Sequence, residues 1–256
     1  MELLGLPIST AILALAAGAF ILAGFVKGVM GQGLPTVAVG ILSLIMSPGE
    51  ATALAIIPAF ITNIWQAWFG PAFGPLMRRL WPTMVAICIG TWLASALGLG
   101  LLTPDAASLA RKTLGVALIL YGLLGISRIR MQVPPHTEWW LGPLMGAANG
   151  VVSAATGVFM APVIPYIQSL GLERDDMVQA QGISFSVSTL SLSFVLMANG
   201  MLNVANATAS LVAVAIAFAG MFLGQYIRQF VHPEVFRFLF FLGMLALGVH
   251  LGFLHR

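Results

Sequence analysis

The longest uncharged stretch of the chain, Met177–Ile227, runs for 51 residues without an Asp, Glu, Lys or Arg. A helix that crosses a membrane needs about 20 predominantly apolar residues. The stretch therefore holds two crossings, which we expect to be separated near Asn199–Gly200 and Asn203–Asn206. This feature predicts a protein that crosses a membrane several times.

The composition supports the same class. Charged residues make up 7% of the 256 residues and hydrophobic residues 59%, whereas soluble domains carry about 25% charged residues. So few charges cannot solvate a compact globule of this size. The composition excludes a soluble enzyme, a disordered protein and a nucleic-acid binder, for which a basic stripe is also missing. The single cysteine, Cys88, provides neither an intramolecular disulfide nor a zinc site, and we expect no cofactor.

Charges mark the ends of the remaining apolar segments. Two segments are short: Leu34–Met46 and Val158–Leu170 have about 13 residues each, which is less than a full crossing by helical rise. Each follows a longer helix across a glycine-containing break. We predict an all-α polytopic membrane protein of about ten helical segments, built as two inverted repeats of five. The repeats are 1–130 and 139–256, and a cytoplasmic linker, 131–138, joins them.

The repeat is visible in matched residues. Gly24, Lys27 and Gly28 have the spacing of Gly146, Asn149 and Gly150; Gly31 then faces Ser153, Gly33 faces Gly157, and Pro35 and Pro162 begin the short helices. The loop charges favour inverted halves. Under that arrangement one face carries Arg78, Arg79, Arg128, Arg130, Arg174, Arg228 and Arg237, and the other carries Arg111, Lys112 and Arg256. The excess predicts that the first face is cytoplasmic.

The two breaks predict a binding site. Backbone at membrane depth leaves the helix only where protein or a water-filled cavity satisfies it, and paired broken helices in inverted halves mark the central site of transporters. The helix starts at Leu34–Thr36 and Val158–Met160 present free N–H groups and a positive dipole end, which favour an anion. The alternative is that the glycines only allow close helix packing.

The residues around the breaks resemble the sulfite exporter TauE/SafE family, also called the 4-toluene sulfonate uptake permease family. The resemblance lies in Gly24–Pro35, in Gly146–Gly157, in Pro162, in Tyr166 with Leu170 and Gly171, and in Phe185. It implies two tandem repeats over nearly the whole chain. It also implies transport of sulfite, sulfoacetate or other organosulfonates across the bacterial cytoplasmic membrane, usually outward.

Several side chains are candidates for contact with such an anion. Lys27 is the only cation inside an otherwise apolar run, so it either faces a cavity as a counter-charge or extends to the nearer interface. Neutral donors next to the breaks either bind the anion or join helices. The predicted substrate-binding set is Lys27, Gly31, Gln32, Gly33, Asn63, Asn149, Ser153, Thr156, Gly157, Gln181 and Ser184, and the predicted hinge or break residues are Gly28, Pro35, Gly150 and Pro162.

The function predicted from these features is a transporter that works by alternating access, with the anion bound between the two breaks. An anion channel is the main alternative, because broken helices also build pores. An intramembrane enzyme is less consistent with the sequence, since only Lys27 and His250 are ionisable groups clearly inside the apolar segments. The expected partners are the anion and the lipid bilayer, not nucleic acid; a homodimer is a further expectation.

Overall fold

The computed structural model describes residues 2–3, 6–7, 10–103, 105–127, 132–159, 162–202 and 204–254, with side chains from residue 12 onward except at 204–207. The described chain is almost wholly helical, which confirms the predicted fold class. The helices are α1 (Thr10–Met30), α2 (Leu34–Leu42), α3 (Pro48–Trp68), α4 (Phe73–Ala96), α5 (Ala107–Ile126), α6 (Glu138–Thr156), α7 (Val163–Gln168), α8 (Arg174–Ala198), α9 (Val204–Ile227) and α10 (Pro233–Val249). Two two-residue strands, β1 (Glu2–Leu3) and β2 (Leu6–Pro7), pair antiparallel before α1.

Within the described chain, six helices are long and apolar enough to cross a membrane: α1, α3, α5, α8, α9, and α10 with its π-helical extension His250–Leu254. Helices α4 and α6 have 24 and 19 residues but are less apolar. They pack extensively against each other. The predicted division of the uncharged stretch is also present, because α8 ends at Ala198 and α9 begins at Val204.

The two short helices are shorter than predicted. Helix α2 has nine residues and α7 has six, because each predicted segment includes a non-helical turn. Helix α7 starts only after Pro162, which lies at its N-cap and lacks the N–H group that a helix interior requires. Helix α3 starts at a capping box, in which the Ser47 hydroxyl accepts from the Glu50 N–H and the Glu50 carboxylate accepts from the Ser47 N–H.

Glycines set the closest helix contacts. A Cβ at Gly24 would overlap the backbone of Ala217 on α9, and one at Gly150 would overlap the backbone of Ile87 on α4. Small residues of this kind let helix backbones approach in a membrane. Gly28 and Gly150, which the sequence suggested as hinges, therefore lie inside α1 and α6 and serve this packing.

The helix contacts have an internal regularity. Exchanging each helix of the first five with its counterpart in the second five converts the α1–α9 contact into α6–α4 and the α3–α9 contact into α8–α4. It maps the α3–α8 and α5–α10 contacts onto themselves. Helices α3 and α8 run antiparallel, because Gly182 lies against Ala67 near one end and Gly49 against Met201 near the other. The inverted-repeat prediction is supported by this pairing and stays a prediction, as do the proposed domain boundaries.

Two faces of the bundle are distinguished by their polar contacts. On the first, which we call the linker face, Arg79 at the start of α4 binds Glu138 at the start of α6 with N–O distances of 2.6 and 2.8 Å. Near the opposite face, Arg111 donates to the carbonyls of Ser43 and Met46 at 3.2 and 3.1 Å, which holds the turn between α2 and α3.

We expect the linker face to be cytoplasmic, because it carries seven of the ten loop cations assigned above. A reporter fused at Gln132 should then report the cytoplasm, and one fused after Arg256 should report the opposite side. The measurement is activity of a side-specific reporter, such as a phosphatase that is active only outside. Both fusions on the same side would contradict the topology.

Candidate anion site

A cavity of about 250 Å³ lies on the linker face. It is enclosed by the C-terminal ends of α1, α3 and α9 and by the N-terminal end of α8. We call it the entry cavity. Its lining residues are Lys27, Gly28, Gly31, Trp65, Gln66, Phe69, Gly70, Pro71, Asp175, Val178, Gln179, Met221, Gln225 and Arg228.

Lys27 lies at the inner end of the entry cavity. The residue is 3% exposed and lies one helical turn deeper than Gly31. Its ammonium donates a hydrogen bond to Asn63 Oδ1 on α3. An ammonium has three N–H donors, and among the described residues Asn63 is its one hydrogen-bond partner and no carboxylate forms an ion pair with it. A buried charge without a partner is strongly unfavourable, so this geometry favours a bound anion.

Asn63 adds a second donor at the same place. Because an ammonium can only donate, the Asn63 oxygen must face Lys27, and its amide nitrogen then points away. Asn63 Nδ2 is buried and has no hydrogen-bond partner among the described residues. A buried unmet donor costs about 1–3 kcal/mol. Together, Lys27 and Asn63 present N–H groups that an oxyanion can accept.

The outer part of the entry cavity carries further charge. Arg228, just after α9, lines it together with Asp175 at the start of α8. Partial burial and the nearby Arg174 lower the pKa of Arg228, and Asp175 opposes that shift. An arginine remains protonated at physiological pH in spite of such shifts. The cavity thus has one cation near its mouth and another at its inner end.

A second buried polar cluster lies among α4, α6 and α8. Asn149 Nδ2 donates to Ser188 Oγ at 3.3 Å, and the hydroxyls of Thr91 and Ser153 are 3.5 Å apart. The register of the α3–α8 pair puts Asn63 and Ser188 at about the same level, near the middle of both helices. The Lys27–Asn63 and Asn149–Ser188 pairs therefore lie between the two breaks, as predicted for the binding residues.

The breaks themselves are far apart. Gly31 lies against Val178, whose carbonyl accepts from Gln66 Nε2 at 2.6 Å, whereas Gly157 lies against Thr52. Residues 52 and 66 are 14 positions apart on α3, about 21 Å by helical rise. One small anion cannot contact both breaks in this conformation, so side chains between the breaks are better placed to bind it than the break amides.

The second break also satisfies its own backbone. Thr156 Oγ1 accepts from the Val158 N–H at 3.2 Å and donates to the Val152 carbonyl at 2.7 Å. The amide that was expected to face an anion is thus occupied. Val158 and Thr156 are both buried, and Met160 lies outside the described residues.

The other predicted residues are dispersed. Gln32 is buried and its Nε2 is 3.5 Å from the Tyr121 hydroxyl on α5, outside the lining of the entry cavity. Gly33 precedes α2 with φ 108° and packs against Val26 and Phe240, and Pro35 follows in the first turn of α2. Gln181 and Ser184 are buried on α8, and the Ser184 hydroxyl donates to the Ala180 carbonyl at 2.9 Å.

Two features of the site were not predicted. Arg228 was assigned only to a loop, because a sequence does not reveal that the end of α9 meets the starts of α8 and the cavity. Gln179 Nε2 donates to the Ala67 carbonyl at 2.7 Å, and its Oε1 accepts from the Ala72 N–H at 2.8 Å. Its place at a helix start within a polar run was the available indication of such a role.

The helical fold, the six apolar crossings and the buried cation below a polar cavity define a multi-pass membrane protein of the transporter class. The family model for the sulfite exporter TauE/SafE matches residues 15–251. The chain therefore belongs to the TauE/SafE family, as the resemblance of its glycine motifs indicated. No curated protein and no solved structure matches it significantly.

Proposed function

We propose that this protein exports small sulfur-containing anions, such as sulfite, sulfoacetate or other organosulfonates, across the bacterial cytoplasmic membrane. The anion enters the cavity on the linker face and binds at Lys27 and Asn63. The protein then releases it on the opposite side by alternating access. The observation that carries the proposal is the buried Lys27 ammonium, which has no carboxylate partner among the described residues and lies at the inner end of an open cavity.

The chemistry of the site fits an oxyanion. Sulfite and sulfonates present several acceptor oxygens around one sulfur, and Lys27 and Asn63 present donors from two helices. Charge-assisted hydrogen bonds of this type contribute about 1.5–3 kcal/mol each. Asn149, Ser153 and Ser188 supply further neutral groups in the neighbouring cluster. A cation such as sodium finds the opposite charge here and is disfavoured.

The direction of transport follows from the membrane potential. A potential negative inside drives anions outward with about 2.3 kcal/mol per charge per 100 mV, which is about a fiftyfold gradient for a monovalent anion. Export therefore needs no co-transported cation. A bound anion keeps Lys27 protonated, so that Lys27 acts as a counter-charge rather than as a proton carrier.

Replacing Asn63 with aspartate tests the site with almost no change in shape. The new carboxylate is placed beside Lys27 and neutralises it, so we expect the KM for the anion to rise by about tenfold or more while the thermal stability does not fall. Uptake of labelled anion into inside-out vesicles, together with melting in detergent, measures both. Arg78→Gln, an exposed change on the same face and outside the cavity lining, is the control.

An unchanged KM in Asn63→Asp would contradict the proposed site. A panel of labelled sulfite, sulfoacetate and aromatic sulfonates in the same vesicles identifies the substrate. A carrier saturates with substrate, whereas flux through an open channel rises in proportion to concentration. The same titration therefore distinguishes transport from the channel alternative.

A further inference from the structure

We infer that the second half of the chain contains a closed counterpart of the entry cavity, and that this counterpart is the path by which the anion leaves on the opposite face. The inference rests on the proposed function, which supplies the anion. It also rests on a residue-by-residue correspondence between the two halves, which the structure provides.

Helices α1 and α6 correspond through their ends. Each ends at a glycine in the left-handed region, Gly31 with φ 77° and Gly157 with φ 74°. The N–H groups of these glycines donate to the carbonyls of Lys27 and Ser153 at 2.7 and 2.8 Å. The two glycines are 126 positions apart. This end-to-end match replaces the pairing of Gly33 with Gly157 that the sequence suggested.

The other helices follow the same rule. Helices α3 and α8 begin at Pro48 and Arg174, also 126 positions apart. Gly24 lies on the backbone of Ala217 and Met221, while Gly150, its counterpart, lies on the backbone of Ile87 and Thr91. The offset between α4 and α9 is therefore 130 positions.

Side-chain contacts agree with both offsets. Trp65 packs edge-on against Phe218 with ring centroids 6.2 Å apart. The corresponding residues are Ser191 and Cys88, and the Cys88 thiol lies within hydrogen-bonding reach of the Ser191 hydroxyl. A contact between α3 and α9 is thus repeated between α8 and α4 by different side chains.

The residues that correspond to the inner lining of the entry cavity are buried. We call them the exit path; they are Thr52, Thr91, Ser153, Gly157, Ser191 and Leu192. Trp65 is 40% exposed, whereas its counterpart Ser191 is 2% exposed. On the open side the Cβ position of Gly31 is 3.4 Å from Val178, but on the closed side Thr52 fills the Cβ position of Gly157.

These contacts identify the moving surfaces. The entry cavity lies between the α1–α9 pair and the α3–α8 pair, so its counterpart lies between the α6–α4 pair and the α3–α8 pair. The second boundary is closed by Thr52 against Gly157 and by the Trp92 indole N–H, which donates to the Ser191 carbonyl at 3.3 Å. Opening the exit path therefore requires α4 and α6 to move away from α3 and α8.

The exit path differs from the entry cavity in charge. The counterpart of Lys27 is Ser153, and the exit path offers only hydroxyl groups as side-chain donors. Neutral donors bind an oxyanion more weakly than an ammonium does. The anion is thus held at the end that opens to the linker face and is released where no cation retains it, which suits export.

A disulfide across the closed boundary tests the inference. Ser191→Cys places a second thiol beside the native Cys88, so oxidation with copper phenanthroline should join α4 to α8. We expect thiol titration to show loss of both thiols and anion efflux to fall at least tenfold, with recovery after reduction. The control is Cys88→Ala/Ser191→Cys, in which oxidation should leave efflux unchanged. Full efflux with the disulfide formed would overturn the inference.

A second readout decides the matter without the disulfide. In Cys88→Ala/Ser191→Cys, a membrane-impermeant thiol reagent added on the side opposite the linker face should react during anion turnover and much more slowly without anion. Absence of reaction during turnover would also overturn the inference. If the reduced variants and the unmodified protein move no sulfite or sulfonate at all, the proposed function fails instead, and the two failures are distinguishable.

Discussion

Lys27→Met is expected to reduce anion efflux more than any other single side-chain change in the entry cavity. Methionine has a similar length and stays buried, but it removes the only cation at the inner end of the cavity. Loss of a charge-assisted hydrogen bond of about 2–3 kcal/mol corresponds to a KM that rises by roughly 30- to 150-fold. The measurement is concentration-dependent uptake of labelled sulfite or sulfonate into inside-out vesicles.

The companion variant Lys27→Arg separates charge from shape. It keeps the positive charge and should retain measurable transport, whereas Lys27→Met should not bind the anion. Glu50→Gln, at the capping box on the far side of α3 from the cavity, should leave transport and its coupling unchanged. Equal activity in Lys27→Met and the unmodified protein would show that the buried ammonium does not hold the anion.

Gly157→Ala is expected to have the second largest effect, on both stability and transport. The glycine has φ 74°, where a side chain costs about 1–2 kcal/mol, and its Cβ would also overlap the Thr52 hydroxyl. Overpacking adds about 1–3 kcal/mol. We expect a clear fall in melting temperature in detergent and a loss of efflux.

Gly98→Ala is the matched control, because Gly98 has the same φ of 74° but open space at its Cβ position. Its stability should fall only by the backbone term. Adding Thr52→Ala to Gly157→Ala removes the overlapping hydroxyl and should restore part of the stability. If Gly98→Ala and Gly157→Ala lose equal stability, the Thr52 contact is not what makes Gly157 necessary.

The helical fold was predictable because it depends on composition and run length. The 51-residue uncharged stretch requires two crossings, and the glycine breaks at Gly31 and Gly157 were visible as interruptions. The exact lengths of α2 and α7 were not, because they depend on how Pro162 and the turn after Leu42 are packed. Local sequence reports where a helix is interrupted, but tertiary contacts determine where the next one begins.

The site was predictable in part. Lys27 was selected because a buried cation in an apolar run is rare, and Asn63 was placed at a matching depth, yet their direct contact depends on the packing of α1 against α3. The break amides were expected to face an anion, but Thr156 occupies the Val158 amide. Arg228 was recognised only as a loop charge, because its proximity to Lys27 is set by four helix ends that are distant in sequence.

The central claim is electrogenic export of a small sulfur anion from the Lys27 site. Proteoliposomes loaded with labelled sulfite or sulfoacetate, with the potential set by potassium and valinomycin and the pH gradient set independently, test it directly. We predict that efflux follows the membrane potential, persists when the pH gradient is removed, and is lost in Lys27→Met. Efflux at zero potential that is driven by a proton gradient alone would contradict this account.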